Sequence, residues 1–124
     1  MKPQYQDTQD TILAIAARWE PLLDLPGIAV EHRFHEAMLD PENGDSTAAV
    51  TKSVWQYRFA IIHWYMPNVV GMSDDDLENT VVHEYVHVLL GPLAAHIKNS
   101  AADLNELATE NVARALLATY RGGA

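Results

Sequence analysis

Two histidines stand four residues apart, with a glutamate directly after the first, in the segment Thr80-Val81-Val82-His83-Glu84-Tyr85-Val86-His87-Val88-Leu89-Leu90. On a helix, positions four apart stack on one face, so both imidazoles can reach one ion. Glu84 lies too far round the axis to share that ion comfortably, but it can reach a water held there. Three protein ligands, an open fourth position and a neighbouring carboxylate base are the requirements of zinc-dependent hydrolysis. The neighbours strengthen the reading. Val81, Val82, Tyr85, Val86, Val88, Leu89 and Leu90 make the helix apolar almost all round, which predicts a buried helix. Two histidines and a glutamate there are costly unless they are hydrogen-bonded or coordinate a metal.

Composition limits the alternatives. The 124 residues carry 8 Lys plus Arg against 17 Asp plus Glu, a formal charge of −9. No nucleic-acid partner is expected of so acidic a chain, because phosphates attract positive charge. Cysteine is absent, so disulfide scaffolds, zinc ribbons and thiol nucleophiles are excluded, and a metal must be held by His, Asp or Glu. A hydrophobic fraction of 48% with 20% charged residues fits a packed globular chain, and the length fits one domain over residues 1–124. No basic start leads into an apolar stretch, and no apolar run approaches the ~18 residues of a membrane span. A cytoplasmic protein without a membrane partner is expected.

Several elements must position the pair. Residues 1–8 read as a loose lead-in, and Asp10 as the cap of a helix reaching residue 25, with Ile12, Leu13, Ile15, Ala16, Trp19, Leu22 and Leu23 at helical spacing. Pro26-Gly27 punctuates its end. Residues 28–39 read as extended, 40–46 as a surface turn and 48–54 as a strand. A third strand is expected over 55–65, with Tyr57, Phe59, Ile61 and His63 on one face and Arg58, Ala60, Ile62 and Trp64 on the other. Short turns favour an antiparallel meander. Ser73 caps a helix over 74–90, with Asp74, Asp75 and Asp76 at the positive end of its dipole. Gly91-Pro92 punctuates it, a helical piece follows over 93–98, and a last helix spans 103–120. The class is α+β: an N-terminal helix, a small antiparallel three-stranded sheet, the histidine helix and a C-terminal helix.

Two histidines need a third ligand. The metzincin pattern would place Gly and His where Leu90 and Leu93 stand, so that solution is out. The last helix offers Glu106 and Glu110. With Leu104 at 0° and steps of about 100°, apolar residues cover an arc from about 0° to 220°. Glu106 falls at about 200°, between Ala113 and Leu117, and Glu110 at about 240°, beside Asp103, Arg114 and Arg121. Glu106 is therefore the acid set in an apolar face. Glu110 lies at its border, where it can pair with Arg114 or support the site.

His83-Glu84-x-x-His87 followed by Asn105-Glu106-Leu107-Ala108-Thr109-Glu110 resembles the gluzincin, thermolysin-type metallopeptidases. The likeness covers roughly residues 73–117, and the layout is also similar to short phage-encoded metallopeptidases, which would act in the host cytoplasm. It implies a minimal zincin-like domain with one Zn2+ per monomer, held by His83, His87 and Glu106, the last 19 residues after His87. It implies that Glu84 is the general base. In that family the acid four residues after the third ligand is an Asp that hydrogen-bonds a zinc histidine; here it is Glu110. It further implies a peptide or protein substrate added as a strand at a sheet edge, for which residues 55–65 are the candidate. For contacts to the substrate or oxyanion, His63, Tyr57 and Tyr120 are the candidates. The alternative is a non-catalytic binding or structural protein in which zinc only joins two helices.

The other chemistry-bearing residues are weaker signals. His32 and His35 point to opposite faces of a strand. Tyr85 reads as core, His96 as surface, and Trp19, Trp55 and Trp64 as packing.

Overall fold

A computed structural model of the chain describes residues 1–23, 27–40, 42, 44, 46–94 and 102–122, with side chains described up to residue 91 of the third helix and from residue 104 of the fourth. Its first helix, α1 (Pro3–Trp19), begins seven residues before Asp10, so the expected loose lead-in is corrected. Proline suits the first helical turn, where its fixed φ is helical and its missing N–H is not needed. The early start adds Tyr5 to the buried stripe of Ile12, Ile15, Ala16 and Trp19. The helix also ends short of residue 25. Leu22 is exposed, and the Leu23 N–H closes a last turn on the Trp19 carbonyl at 3.0 Å. Leu25 and Pro26 lie outside the described residues.

Three strands follow: β1 (Ala29–His35), β2 (Ala49–Val54) and β3 (Phe59–Tyr65). Their order is β1-β3-β2, with β1 parallel and β2 antiparallel to β3. The sheet is therefore mixed, and the expected antiparallel meander is corrected. The long connection after β1 lets β2 skip the neighbouring place. The strand with the most buried apolar surface, carrying Ala60, Ile62 and Trp64, takes the centre with a neighbour on each side. Residues 55–58 are not strand. Trp55–Tyr57 is a 3-10 turn closed by the Arg58 N–H on the Trp55 carbonyl at 3.0 Å. Aromatic content favours a strand there, but β2 and β3 are antiparallel neighbours and the chain must reverse between them. From residue 59 the expected alternation holds: Ala60, Ile62 and Trp64 are buried and Phe59, Ile61 and His63 only partly so.

A short helix, α2 (Met66–Val69), turns the chain toward α3 (Asp74–Ala94). The Asp76 N–H donates to Ser73 Oγ at 3.2 Å, which is the expected cap. Helical backbone continues through Gly91 and Pro92 to Ala94, so the expected stop is corrected. Gly91 is a contact residue: a Cβ there would stand 2.5 Å from Ser53 Oγ of β2. Its lack of a side chain lets α3 close on the sheet. The last helix is α4 (Ala102–Arg121); residues 95–101, His96 included, lie outside the described residues.

The described residues form an α+β fold. One apolar cluster joins α1, the inner sheet face, α2 and α3, with Ala113 and Leu117 from α4. Among the described side chains of α4 only a narrow stripe is buried, Thr109, Ala113 and Leu117, while Leu104, Leu107 and Val112 face solvent. That stripe spans about 140–220° of the phase above, which brings Glu106 and Glu110 to the α3 side. Among the described residues, no helix is long and apolar enough to cross a membrane.

Candidate metal centre

His83 and His87 sit on one face of α3, half-buried, with ring centroids 5.0 Å apart. The α4 stripe brings Glu106 across from them. Its Oε2 lies 3.1 Å from His83 Nε2 and its Oε1 2.8 Å from His87 Nε2. One turn further along α4, Glu110 Oε2 accepts from His83 Nδ1–H at 2.5 Å. Glu110 Oε1 accepts from Arg114 Nε at 2.9 Å and Asn79 Nδ2 at 3.4 Å. The two uses of Glu110 left open by the sequence are thus combined: it supports the site and pairs with Arg114. The Glu110 side chain is long enough to reach the His83 ring from α4.

This geometry sets the state of His83. A carboxylate on Nδ1 takes the ring proton there and turns the Nε2 lone pair toward Glu106. A metal ion can accept that lone pair and the carboxylate together. Two imidazole nitrogens and a carboxylate, with a supporting acid behind one ring, are a donor set that suits Zn2+. Burial lowers the pKa of His87, with Glu106 opposing and His83 reinforcing the shift. A neutral imidazole is the ligating form. Burial would raise the pKa of Glu110, but bonds from Arg114, His83 and Asn79 outweigh it and hold it low. Glu106 itself is 59% exposed at its side chain, so the centre opens to solvent on the α4 side.

Glu84 is arranged differently. It is buried, and its Oε1 accepts from Thr51 Oγ1 of β2 at 2.8 Å. Burial pushes its pKa up to about 7, against the Thr51 bond and the nearby His83 and with help from the Glu106 charge. Ligating atoms of His83, Glu84 and His87 all lie within 4.8 Å of one another. Glu84 can therefore share a water with an ion at the histidines while being held by the sheet. Thr51 was not singled out in the sequence; strand alternation puts it on the inner face, but nothing local names its partner.

Two cavities flank the centre and share Thr51 and His87. One, about 370 Å³, is lined by Thr47, Ala49, Val50, His83, Glu84 and Glu106 as well. The other, about 400 Å³, adds Ser53, Trp55, Gln56, Gly91 and Asn105. Both run along β2, which pairs only with β3 among the described strands. The expected edge at residues 55–65 is corrected: β3 is the central strand, and β2 is the edge beside the histidines.

Of the three candidates for oxyanion or substrate contact, His63 and Tyr120 are corrected, and Tyr57 lines neither cavity. His63 is on the outer sheet face, where its Nδ1 meets His35 Nε2 at 2.8 Å, with the sheet between it and His83. Tyr57 is 83% exposed in the 3-10 turn. Tyr120 packs against Trp19 with the rings tilted by 50° and 4.8 Å between centroids, at the far end of α4. Asn105 and Gln56 are the amide donors that line the groove next to His87. His32 and His35 do point to opposite faces. His32 lies inward, where Trp64 Nε1–H donates to its Nδ1 at 3.1 Å and its Nε2 meets Tyr85 Oη at 3.3 Å.

Comparison of the chain with protein-family models, with curated proteins and with solved structures finds no match.

Proposed function

We propose that the chain is a zinc-dependent hydrolase, most simply a metallopeptidase of gluzincin type, with His83, His87 and Glu106 holding one Zn2+. The observation that carries this reading is the approach of both Glu106 oxygens to the two Nε2 atoms, at 3.1 and 2.8 Å, with Glu110 behind His83. Zinc held there would supply Lewis acidity, which polarises a carbonyl and makes water acidic near pH 7.

The remaining work falls to the chain's own residues. Glu84 takes a proton from the attacking water and returns it to the leaving amine. Thr51 holds the Glu84 carboxylate in place through its hydroxyl. Glu110 keeps His83 in the ligating tautomer. A peptide lies along the free edge of β2, and Asn105 offers an amide donor beside His87. Glu84 also weighs against zinc as a mere staple, since a structural site has no use for a buried, proton-binding acid that does not ligate.

Elemental analysis tests the ligand set. Wild type should hold one zinc per chain and Glu106→Ala should lose it. Glu110→Ala should keep the site with affinity down roughly 10–100-fold. Zinc retained in Glu106→Ala and lost in Glu110→Ala would reverse the assignment. A peptide library or host proteome then tests hydrolysis. Zinc-loaded wild type that cuts nothing, together with a Glu84→Gln variant that unfolds, would leave zinc a structural role.

A further inference from the structure

Among the described residues, three have φ in the left-handed region: Gly27 at 78°, Gly44 at 63° and Arg58 at 54°. Two of these meet. A Cβ on Gly27 would stand 3.1 Å from Arg58 Nη1, so the absence of one lets the guanidinium lie against the Gly27 backbone. The Ala29 N–H donates to the Arg58 carbonyl at 2.8 Å, which ties the two segments together. A side chain with a Cβ resists this conformation, and Gly or Asn would adopt it with less strain. Strain held in place by its surroundings is a reason to ask what the side chain does.

Arg58 stands at a cavity of about 350 Å³ between the end of the sheet and α3. Ile28, Phe59, Val88, Leu89 and the Trp55 indole make its apolar walls, and Ser53 adds a hydroxyl. Leu89 and Trp55 leave apolar surface open there. The chain has 17 acids, yet no carboxylate among the described residues pairs with Arg58. An apolar cavity with one positioned cation at its wall suits an apolar ligand that carries one negative charge.

We propose that this cavity binds a free monocarboxylic acid with an apolar body, its carboxylate on the Arg58 guanidinium and its chain between Phe59, Val88, Leu89 and Trp55. A peptide terminus fits less well. Its amides would be buried with only Ser53 and Arg58 as polar partners in the lining. The cavity shares Ser53 and Trp55 with the groove next to His87 but none of His83, Glu84, His87 or Glu106 lines it, and the proposal does not rest on the hydrolase reading.

The test uses the full chain and straight-chain carboxylates from hexanoate to dodecanoate, kept below micelle formation. Calorimetry measures binding. Tryptophan emission reports it, because Trp19 and Trp64 are buried and Trp55 is exposed at the cavity; Trp55 also lines the groove next to His87, so the Arg58 variant assigns the binding to this cavity. Affinity should tighten roughly fourfold per added methylene until the cavity is full, then level off. The matched alcohol should bind about tenfold more weakly. Arg58→Asn tolerates the left-handed backbone and removes the charge, so it should bind acid and alcohol alike, at the alcohol's level. Trp55→Phe should lose the emission change and keep the heat. Equal binding of acid and alcohol by wild type, or undiminished acid binding by Arg58→Asn, would overturn the proposal. A short peptide ending in leucine that binds more tightly than decanoate would overturn the free acid as its occupant.

Discussion

Helix α3 carries two buried glutamates six positions apart, Glu78 at 6% exposure and Glu84 at 5%, and they differ in almost everything else. Glu78 accepts from Trp19 Nε1 at 2.9 Å, Arg18 Nη2 at 2.5 Å and Arg121 Nη2 at 2.9 Å, so α1, α3 and α4 meet on one carboxylate. Burial alone would raise its pKa, but those three donors outweigh burial and lower it. Glu84 has one side-chain donor, Thr51, and burial pushes its pKa up to about 7. Equal surface exposure therefore says little about a buried acid, since Glu84 lies deeper among protein atoms than Glu78. Depth of burial together with the number and charge of its donors decides whether it is a fixed anion or a group able to take and release a proton.

The comparison breaks most sharply at activity. Glu84→Gln should lower hydrolysis by roughly 10²–10⁴-fold with zinc content and fold kept, because an amide cannot accept the proton. Glu78→Gln should leave the rate per folded molecule unchanged. Both are read from rates on a cleaved peptide, normalised to zinc.

Stability should respond the other way. Glu78→Gln removes the charge that Arg18 and Arg121 approach, at a cost of about 2 kcal/mol in urea unfolding. That figure is kept modest because the two arginines are themselves about half exposed and can turn back to water. Glu84→Gln should be neutral or stabilising in the metal-free protein, since the desolvation cost of the carboxylate disappears.

The two acids should also give opposite pH trends in metal-free protein. Glu84 is raised from 4.5 to about 7 on folding, so the folded state binds more protons than the unfolded state in that window. Its ionisation costs stability progressively from about pH 4.5 to about pH 7 and fully above, by at most about 3 kcal/mol. The advantage of Glu84→Gln over wild type should therefore grow across that range and then level off. Glu78 is lowered on folding, so its contribution is present above the ordinary carboxylate pKa and lost as pH falls through the lower folded value. The disadvantage of Glu78→Gln should be flat near neutrality and shrink only in acid. Urea midpoints across pH for the three proteins measure both trends.

The smallest effect sharpens the comparison at a single bond. Thr51→Val removes the hydroxyl that holds Glu84, at a cost of about 1 kcal/mol. Loss of a donor to the charged form raises the Glu84 pKa further, so the acid limb of the hydrolysis profile should move to higher pH. An unmoved limb would mean that Thr51 serves packing alone.

Part of this was legible in the chain itself. His83, Glu84 and His87 are related by the geometry of one helix, and a spacing of four residues is enough to put two rings on one face. Ser73 was also recognisable as a cap from its place before three acids. These are local relations, set by neighbours along the backbone. Most of what failed was a relation between elements, although the start of α1 at Pro3 and the run of α3 through Gly91 and Pro92 were local misreadings, and the apolar arc assigned to α4 was too wide, since Leu104 and Val112 face solvent and the Glu106 side chain is more exposed than that of Glu110. Strand order could not be read because all three strands offer similar periodicity, and which one takes the centre depends on what packs on each face. His63 and Tyr120 stood as site candidates by residue type, and the fold sent one to the outer face and the other to Trp19. Thr51, Glu78 and the Gly91–Ser53 contact have no local signature at all. Their partners lie 33 to 60 residues away in the chain, a separation over which only tertiary packing brings side chains within bonding distance.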